Sequence, residues 1–431
     1  MVIRMSGGAR PNTMTEEGEM GFFLNPGNVG FKQIIKPKTY VDKTGIIGYL
    51  NEWIDTDSRY VCVSRARRFG KTVAAKTIQA YYDNSCDSRE LFAPYEIARD
   101  PSFEAHINKY DVIGLDLLSF FLHGEDPKAF IERIKAEVLE EICEKWSDID
   151  GLKDIGLVRA LRKVNEKTGA KFVFVIDEWD AVFRYYPKDE SLQSEWIHFL
   201  RDLFKQANMD KCVALVYMTG ILPVKKYSTQ SSLNQFREFT MIRPLVLERY
   251  IGFLPHEVDA LCEKFDMDRA EATEWYDGYM LPHEHHVYNP CSVAQAMTYR
   301  AYGSYWTQTD TFESLLNYIN TDLDGLYNDV MHMIGGGRVD VDISAYDKSF
   351  TTPQNKNHCF SLLVHIGYLG YDAMASQVFI PNEEVRLAFR SALEECSWPE
   401  AIKPYQRSKK FIDAIHAEDS ATVARMVEET H

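Results

Sequence analysis

The sequence has no apolar run of the ~18 residues that a bilayer-crossing helix needs, so no membrane span is expected. Its first 20 residues hold Gly-Gly and Glu-Glu-Gly-Glu but no apolar core, so no secretion signal is visible. The eight cysteines are dispersed and form no C-x-x-C pair. Several lie in apolar runs, where cysteine behaves as a small hydrophobe. That usage predicts a reducing, cytoplasmic compartment. Excess positive charge is lacking too: the formal net charge is −16. A passive coat on nucleic acid is therefore excluded for the chain as a whole, and only a local basic patch stays compatible. His283, Glu284, His285 and His286 cluster on a loop without the spacing that fixes a tetrahedral site, so no metal is expected there.

What the chain does have is ordinary globular content, with 45% hydrophobic and 26% charged residues over 431 positions. That length predicts two or three domains. One stretch organises the rest. Tyr60-Val-Cys-Val-Ser-Arg-Ala-Arg-Arg-Phe-Gly-Lys-Thr72 begins with a buried strand at Val61–Val63 and runs into a helix pattern from Val73 to Tyr82. Strand, tight loop, Gly-Lys-Thr and helix make a cradle for polyphosphate. The helix N-terminus offers unpaired N–H groups and partial positive charge. In that arrangement Arg65, Ala66, Arg67, Arg68 and Phe69 form the loop and Gly70 lets the backbone approach. Lys71 reaches the β- and γ-phosphates, and the Thr72 hydroxyl ligates magnesium. The pattern G-x-x-x-x-G-K-[ST] is imperfect, because Arg65 stands at its first glycine. The plainer account is a basic surface turn ahead of an ordinary helix.

A second landmark is Lys171-Phe-Val-Phe-Val-Ile-Asp-Glu-Trp-Asp180. Five apolar residues, Phe172 to Ile176, read as a strand covered on both faces. It ends in Asp177, placed to hold magnesium, and Glu178, placed to orient and polarise an attacking water. The alternative is a strand ending in a solvated acidic turn. A third apolar strand, Cys212 to Gly220, ends at Thr219, which either senses the γ-phosphate or is a common strand ending. Tyr40 and Asp42 precede a short amphipathic helix, Gly45 to Trp53. They wall a base pocket, or the helix merely covers the sheet. A further strand at Asp111–Leu117 and helices at Pro127–Trp146, Leu157–Thr168 and Leu192–Asn208 complete an alternating pattern, which predicts βαβ units and a mostly parallel sheet. Ligands then bind at the carboxyl ends of its strands. Past Arg243-Pro244 the pattern turns helix-rich and winged-helix-like. Helices are expected at Pro255–Phe265, Arg269–Tyr276, Val293–Tyr302, Phe312–Asn320, Leu323–Ile334 and Asn382–Cys396, with strands at Val339–Ile343 and Gln377–Ile380.

With these residues in view, the chain resembles the AAA-ATPase-like family of bacteria and archaea. The likeness is carried by Tyr40-Val-Asp-Lys-Thr44, Arg65-Ala-Arg-Arg-Phe-Gly-Lys-Thr72, Val175-Ile-Asp-Glu-Trp-Asp180, Thr219-Gly220, Trp275-Tyr-Asp-Gly-Tyr279, Tyr288-Asn-Pro290, Trp306, Gly367-Tyr368 and Ile380-Pro-Asn-Glu-Glu-Val-Arg386. Ala66 stands where the family usually has proline, and Thr72 where it usually has serine. The resemblance implies an α/β fold: a three-layer, additional-strand P-loop NTPase core with a mostly parallel sheet, plus a smaller helix-rich C-terminal region. The expected division is a flexible segment 1–30, an ATPase domain 31–250, a lid or winged-helix-like region 251–398, and a terminal helix 399–431 linking to an absent domain. The family often carries a PD-(D/E)XK-type nuclease domain downstream, but no such carboxylate arrangement is visible here, and no nuclease activity is expected.

The function expected is magnesium-dependent ATP binding and hydrolysis that drives a switch in the second region. Arg67 or Arg68 is a candidate for the charge that other such enzymes take from an arginine finger, unless these arginines simply pair with carboxylates. The alternatives are a nucleotide-binding module that scarcely hydrolyses and docks a protein or DNA through its C-terminal region, and a structural protein with a vestigial loop. The sequence leaves open whether the chain assembles into an oligomer.

Overall fold

The computed structural model describes residues 21–121, 129–224, 233–250, 252–282, 286–306, 323–343 and 355–395, with isolated positions between 419 and 426. Five parallel strands run through the centre: β1 (Tyr60–Ser64), β2 (Asp111–Asp116), β3 (Phe172–Asp177), β4 (Val213–Gly220) and β5 (Arg237–Phe239). Their spatial order is β2-β3-β4-β1-β5. β1, β3 and β4 are unbroken apolar runs because both faces of the sheet are covered. Side chains alternate between the faces. Val61, Val63, Val173, Val175 and Tyr217 pack with α1 (Val29–Ile34), α2 (Ile46–Trp53) and α3 (Lys71–Tyr82). Cys62, Phe174, Ile176 and Met218 pack with α4 (Ala129–Lys145), α5 (Leu157–Thr168) and α6 (Glu190–Lys205). This is the three-layer α/β core of a P-loop NTPase, with β4 inserted between the strand that feeds the loop and the strand that ends in Asp177.

The chain beyond the sheet is helix-rich and packs in two ways. α7 (Pro255–Phe265), α8 (Arg269–Tyr276) and α9 (Pro290–Tyr299) enclose a small core of their own. The start of α9 follows from Asn289-Pro290: the Asn289 side chain accepts from the backbone N–H groups of Cys291 and Ser292, and proline takes the first helical position. Next come α10 (Leu326–Ile334), β6 (Val339–Asp340), α11 (Lys356–Ile366), β7 (Gly370–Asp372), β8 (Gln377–Phe379) and α12 (Glu383–Glu395). Their apolar core is continuous with that under one face of the large sheet. The three short strands are antiparallel in the order β6-β8-β7, the order of a winged helix. Every residue of α11 from His358 to Ile366 is buried.

Some expectations shift. Residues 1–20, the helix at Phe312–Asn320, His283, Glu284, His285 and most of the terminal helix lie outside the described residues. Residues 21–30, grouped with a loose N-terminus on composition, are tied down. The Glu141 carboxylate accepts from the N–H groups of Phe22, Phe23 and Leu24, and Leu24 bridges to Ile113 of β2. The strand expected over Val339–Ile343 shortens to two residues. Among the described residues no helix is long and apolar enough to cross a membrane.

The Tyr276-Asp-Gly-Tyr279 turn joins the two parts of this region. Gly278 has φ +100°, and a Cβ there would stand 2.1 Å from the Pro381 carbonyl oxygen, too close for any side chain. Gly278→Ala is therefore expected to lower stability by about 2–4 kcal/mol, read as a lower urea midpoint with an unchanged m-value.

Candidate nucleotide site

β1 delivers the chain into a loop that turns back on itself before α3. Gly70 closes it at φ +77°, with nothing within 4 Å of the place a Cβ would take. Its glycine requirement is thus conformational, and it leaves open space over the helix N-terminus. The Lys71 ammonium, 4% exposed, donates to the carbonyls of Arg65 (3.1 Å) and Ala66 (2.9 Å). Burial lowers its proton affinity below that of an ordinary lysine. Glu178, Asp177 and Asp180 act against that. These four groups therefore stand on one edge of the sheet.

The strand register places Asp177 on that edge. Asp177 of β3 is level with Thr219 of β4, and Thr219 is level with Val63 of β1. Burial pushes the Asp177 carboxyl up to about 6. A hydrogen bond from the Thr72 hydroxyl and the charge of Lys71 oppose the rise, and Glu178 and Asp116 add to it. Thr72 and Asp177, named from the sequence as a metal pair, are thus neighbours, and the Asp177 Oδ1 accepts from the Glu178 N–H at 3.0 Å. Thr219 does not face the loop: its hydroxyl is fully buried and donates to the Val63 carbonyl at 3.0 Å, tying β4 to β1.

Glu178 sits just past the strand in the left-handed region, φ +55°, a conformation unfavourable by about 1 kcal/mol for a residue with a Cβ. Its carboxylate meets the guanidinium of Arg184, on the short helix Ala181–Tyr185. Arg184 Nε also donates to Asp180 Oδ2 at 3.2 Å, and that oxygen accepts from the N–H groups of Ile221 (3.1 Å) and Leu222 (2.9 Å). Asp180 is thereby an anchor. A Cβ at Gly220 would fall 2.5 Å from its other oxygen, which is why glycine follows Thr219.

The loop arginines part company. Arg65 is 1% exposed, with its guanidinium in the interior. Burial lowers its pKa to about 10, against the neighbouring Tyr217 and Glu248. Only its carbonyl reaches the loop, and Lys71 takes it. Arg65 is thus a bolt beneath the loop, and its side chain is not placed against phosphate. Arg68 (φ +65°) turns to the second region, its Nη1 3.2 Å from Cys291 Sγ at the start of α9. Arg67 is half-buried beside Arg184 and Glu178. Phe69 stacks edge-on against Tyr279 at 4.9 Å, and buried Ala66 lies against Gly367 at the end of α11.

A cavity of about 580 Å³ is lined by Arg67, Gly70, Lys71, Thr72, Glu178 and Arg184, together with apolar surface from Ile34, Tyr40, Val41 and Ala294 of α9. The Tyr40 ring is set edge-on against Phe31 and Tyr95. Asp42 is not on the wall. Its two oxygens accept from Thr44 and from the Glu96 N–H. Among the described residues no group of three His, Cys, Asp or Glu could hold a metal, and His286 pairs with Asp277. Sequence reasoning missed Arg184. The available signal was its place four residues after Asp180 on a helix.

Residues 27–230 match the family model AAA-ATPase_like, described as Predicted AAA-ATPase. This segment is an AAA-ATPase-like domain. No curated protein matches the chain. Among solved structures, the Walker-type ATPase PABY2304 of Pyrococcus abyssi is similar at 13% identity, over 83% of this chain and 99% of that one, with a TM-score of 0.40. The ORC2 protein of Aeropyrum pernix, solved as ADPNP–ADP complexes, is similar at 10% identity over 83% and 96%, with a TM-score of 0.36. AMPPCP-bound DnaA from Aquifex aeolicus is similar at 12% over 90% and 96%, with a TM-score of 0.29. At these scores the neighbours inform neither chemistry nor partner.

In the AAA-ATPase-like domain the burial of Asp177 has a consequence for stability. Below its ordinary pKa of 3.8 the carboxyl is protonated in both folded and unfolded chains and contributes nothing. Between 3.8 and about 6 the unfolded chain ionises first, so stability falls as pH rises, and the full penalty stands above 6. Two units correspond to about 3 kcal/mol. Asp177→Asn should therefore raise the stability of the protein by up to about that much at pH 8 and leave it nearly unchanged near pH 3. Chemical denaturation at the two pH values checks this.

Proposed function

We propose that the chain binds ATP with magnesium in this cavity and hydrolyses it. The reading rests on one observation: Lys71, Thr72, Glu178 and Arg184 line a single cavity at the carboxyl edge of a parallel sheet, with Asp177 buried at the strand end beside it. The polyphosphate would lie over the N-terminus of α3, with Lys71 turned from its loop carbonyls toward it. The base would lie between Tyr40 and α9. Thr72 and Asp177 fit a hard divalent cation: both offer oxygen, and the buried carboxylate is short of positive charge. Magnesium, when bound there, neutralises charge on the β- and γ-phosphates. In hydrolysis a water oxygen bonds to the γ-phosphorus. The bond from phosphorus to the bridging oxygen breaks, its electron pair staying on ADP, and the water's proton passes to Glu178.

The loop's contacts support a switch. Phe69 on Tyr279, Ala66 against Gly367 and Arg68 on Cys291 put any movement of the loop directly onto the second region. With α11 buried and a net charge of −16, a protein suits that region better as partner than DNA does. A second reading, nucleotide held with little turnover, is favoured by the ion pair that occupies Glu178.

The two readings separate on Glu178→Gln and Lys71→Ala. Wild type at saturating ATP–magnesium should gain about 3 kcal/mol of apparent stability, and Lys71→Ala should not. Glu178→Gln should keep that gain and lose about 100-fold or more in phosphate release. Equal phosphate release in wild type and Glu178→Gln removes the base assignment and leaves the binding module. No gain in wild type removes ATP.

A further inference from the structure

The only ion-paired guanidinium on the cavity wall belongs, among the described residues, to Arg184. Its surroundings are unlike those of the loop arginines. Arg65 is sealed in the interior and Arg68 is drawn to Cys291. Arg67 rides on the loop itself, so its position changes with the loop. Arg184 is held from behind. Its Nε is fixed by Asp180, which is fully buried and clamped by two backbone N–H groups of the segment that follows β4. That leaves the outer edge of the guanidinium to face the cavity, where it meets the Glu178 carboxylate. A donor fixed before the ligand arrives needs little reorganisation when charge appears in front of it.

We propose that Arg184 is the residue through which the site distinguishes a nucleoside triphosphate from a diphosphate. It contacts the γ-phosphoryl group and in doing so releases Glu178. This rests on the ATP reading above. In the ligand-free protein the guanidinium and Glu178 satisfy each other. A γ-phosphoryl group carries more negative charge and more acceptor oxygens than a carboxylate, and it is the stronger partner for a planar guanidinium in a cavity shielded from water. The β-phosphate of a diphosphate lies one phosphoryl group further back, over the loop. With a diphosphate Glu178 stays paired with Arg184, and with a triphosphate it becomes free to take the proton of the attacking water. The same ion pair that argues for a silent site is then what makes turnover depend on the third phosphate.

The experiment compares the affinity for magnesium with ADP and with a non-hydrolysable ATP analogue, and the rate of phosphate release, in wild type, Arg184→Ala and Arg184→Gln. Wild-type binding of ADP tests the ATP reading alone, since ADP has no γ-phosphoryl group. If wild type binds neither nucleotide, both proposals fall. With binding established, both variants should lose about 10- to 100-fold in affinity for the analogue and keep ADP affinity within about twofold, which abolishes the triphosphate preference. Phosphate release should fall at least as far. Arg184→Gln places an amide N–H near the position of the Arg184 Nε, so it keeps a donor for Asp180 while removing the outer guanidinium, and carries the test if Arg184→Ala does not fold. Equal losses for ADP and the analogue, an unchanged preference, or faster phosphate release would each overturn the assignment.

Discussion

The arrangement depends on one strand. β4 lies between β1 and β3, so the loop that follows β1 and the carboxylate that ends β3 are held two strand spacings apart, about 9–10 Å. The separation is kept by backbone hydrogen bonds, by the Thr219 hydroxyl on the Val63 carbonyl, and by Asp180 gripping the N–H groups of Ile221 and Leu222. β4 contributes no side chain to the cavity wall. Its part is to be a spacer, and the polar residue at its tip is spent on that.

A site that keeps opposite charges apart must satisfy them separately. Lys71 does so on the carbonyls of its own loop, Glu178 on Arg184, and Asp177 on the Glu178 N–H. Each of these partners is replaceable by something a magnesium–triphosphate complex offers: phosphate oxygens for Lys71 and Arg184, a cation for Asp177. None is a buried, fully satisfied pair, which would be strongly unfavourable to break. Arg65 is the exception. Its guanidinium is sealed beneath the loop, with two nitrogens lacking hydrogen-bond partners among the described residues. A residue kept at such cost to hydrogen bonding reads as part of the scaffold. The glycine of the usual pattern is unnecessary here because the chain at Arg65 is not in a left-handed conformation, whereas Arg68 and Gly70 are.

Much of this was legible in the sequence where the signal is local. Unbroken apolar runs marked β1, β3 and β4, and the alternation of strand and helix patterns marked α4 and α5 between them. The residues at the carboxyl ends of those strands pointed to one edge. Strand order is not local, and nothing in the spacing of β4 says that it inserts between β1 and β3; the family resemblance carried that. Side-chain direction was also out of reach. Arg65, Arg67 and Arg68 are alike as letters, yet one lines the core, one faces Glu178 and one reaches α9, because the loop twists through left-handed residues that only the backbone reveals. Asp42 and Thr219 were named for polarity near the motif, and both are spent on neighbouring backbone. Arg184 pairs with Glu178 and was hidden in a short helix that the sequence reading passed over.

The glycines show how the loop is joined to the rest. Gly367 ends α11, and a Cβ there would stand 2.7 Å from the Cβ of Ala66. Gly278 lets its turn press on Pro381, and Tyr279 beside it donates to the Gly367 carbonyl at 2.9 Å while its ring bears on Phe69. Interfaces this close transmit displacement because packed atoms cannot be compressed. A shift of the loop by a fraction of an ångström must therefore move α11, the Tyr279 turn, or both. α11 has no exposed face between His358 and Ile366 and is packed into the continuous core, so it is the harder of the two to move. Tyr279 packs in the core it shares with Phe69, while Tyr276, at the other end of the turn, packs in the small core of α7–α9, and α9 touches the loop through Cys291. The path of least resistance from the phosphate loop thus leads into α7–α9, the same unit whose Pro290, Cys291 and Ala294 form part of the cavity wall.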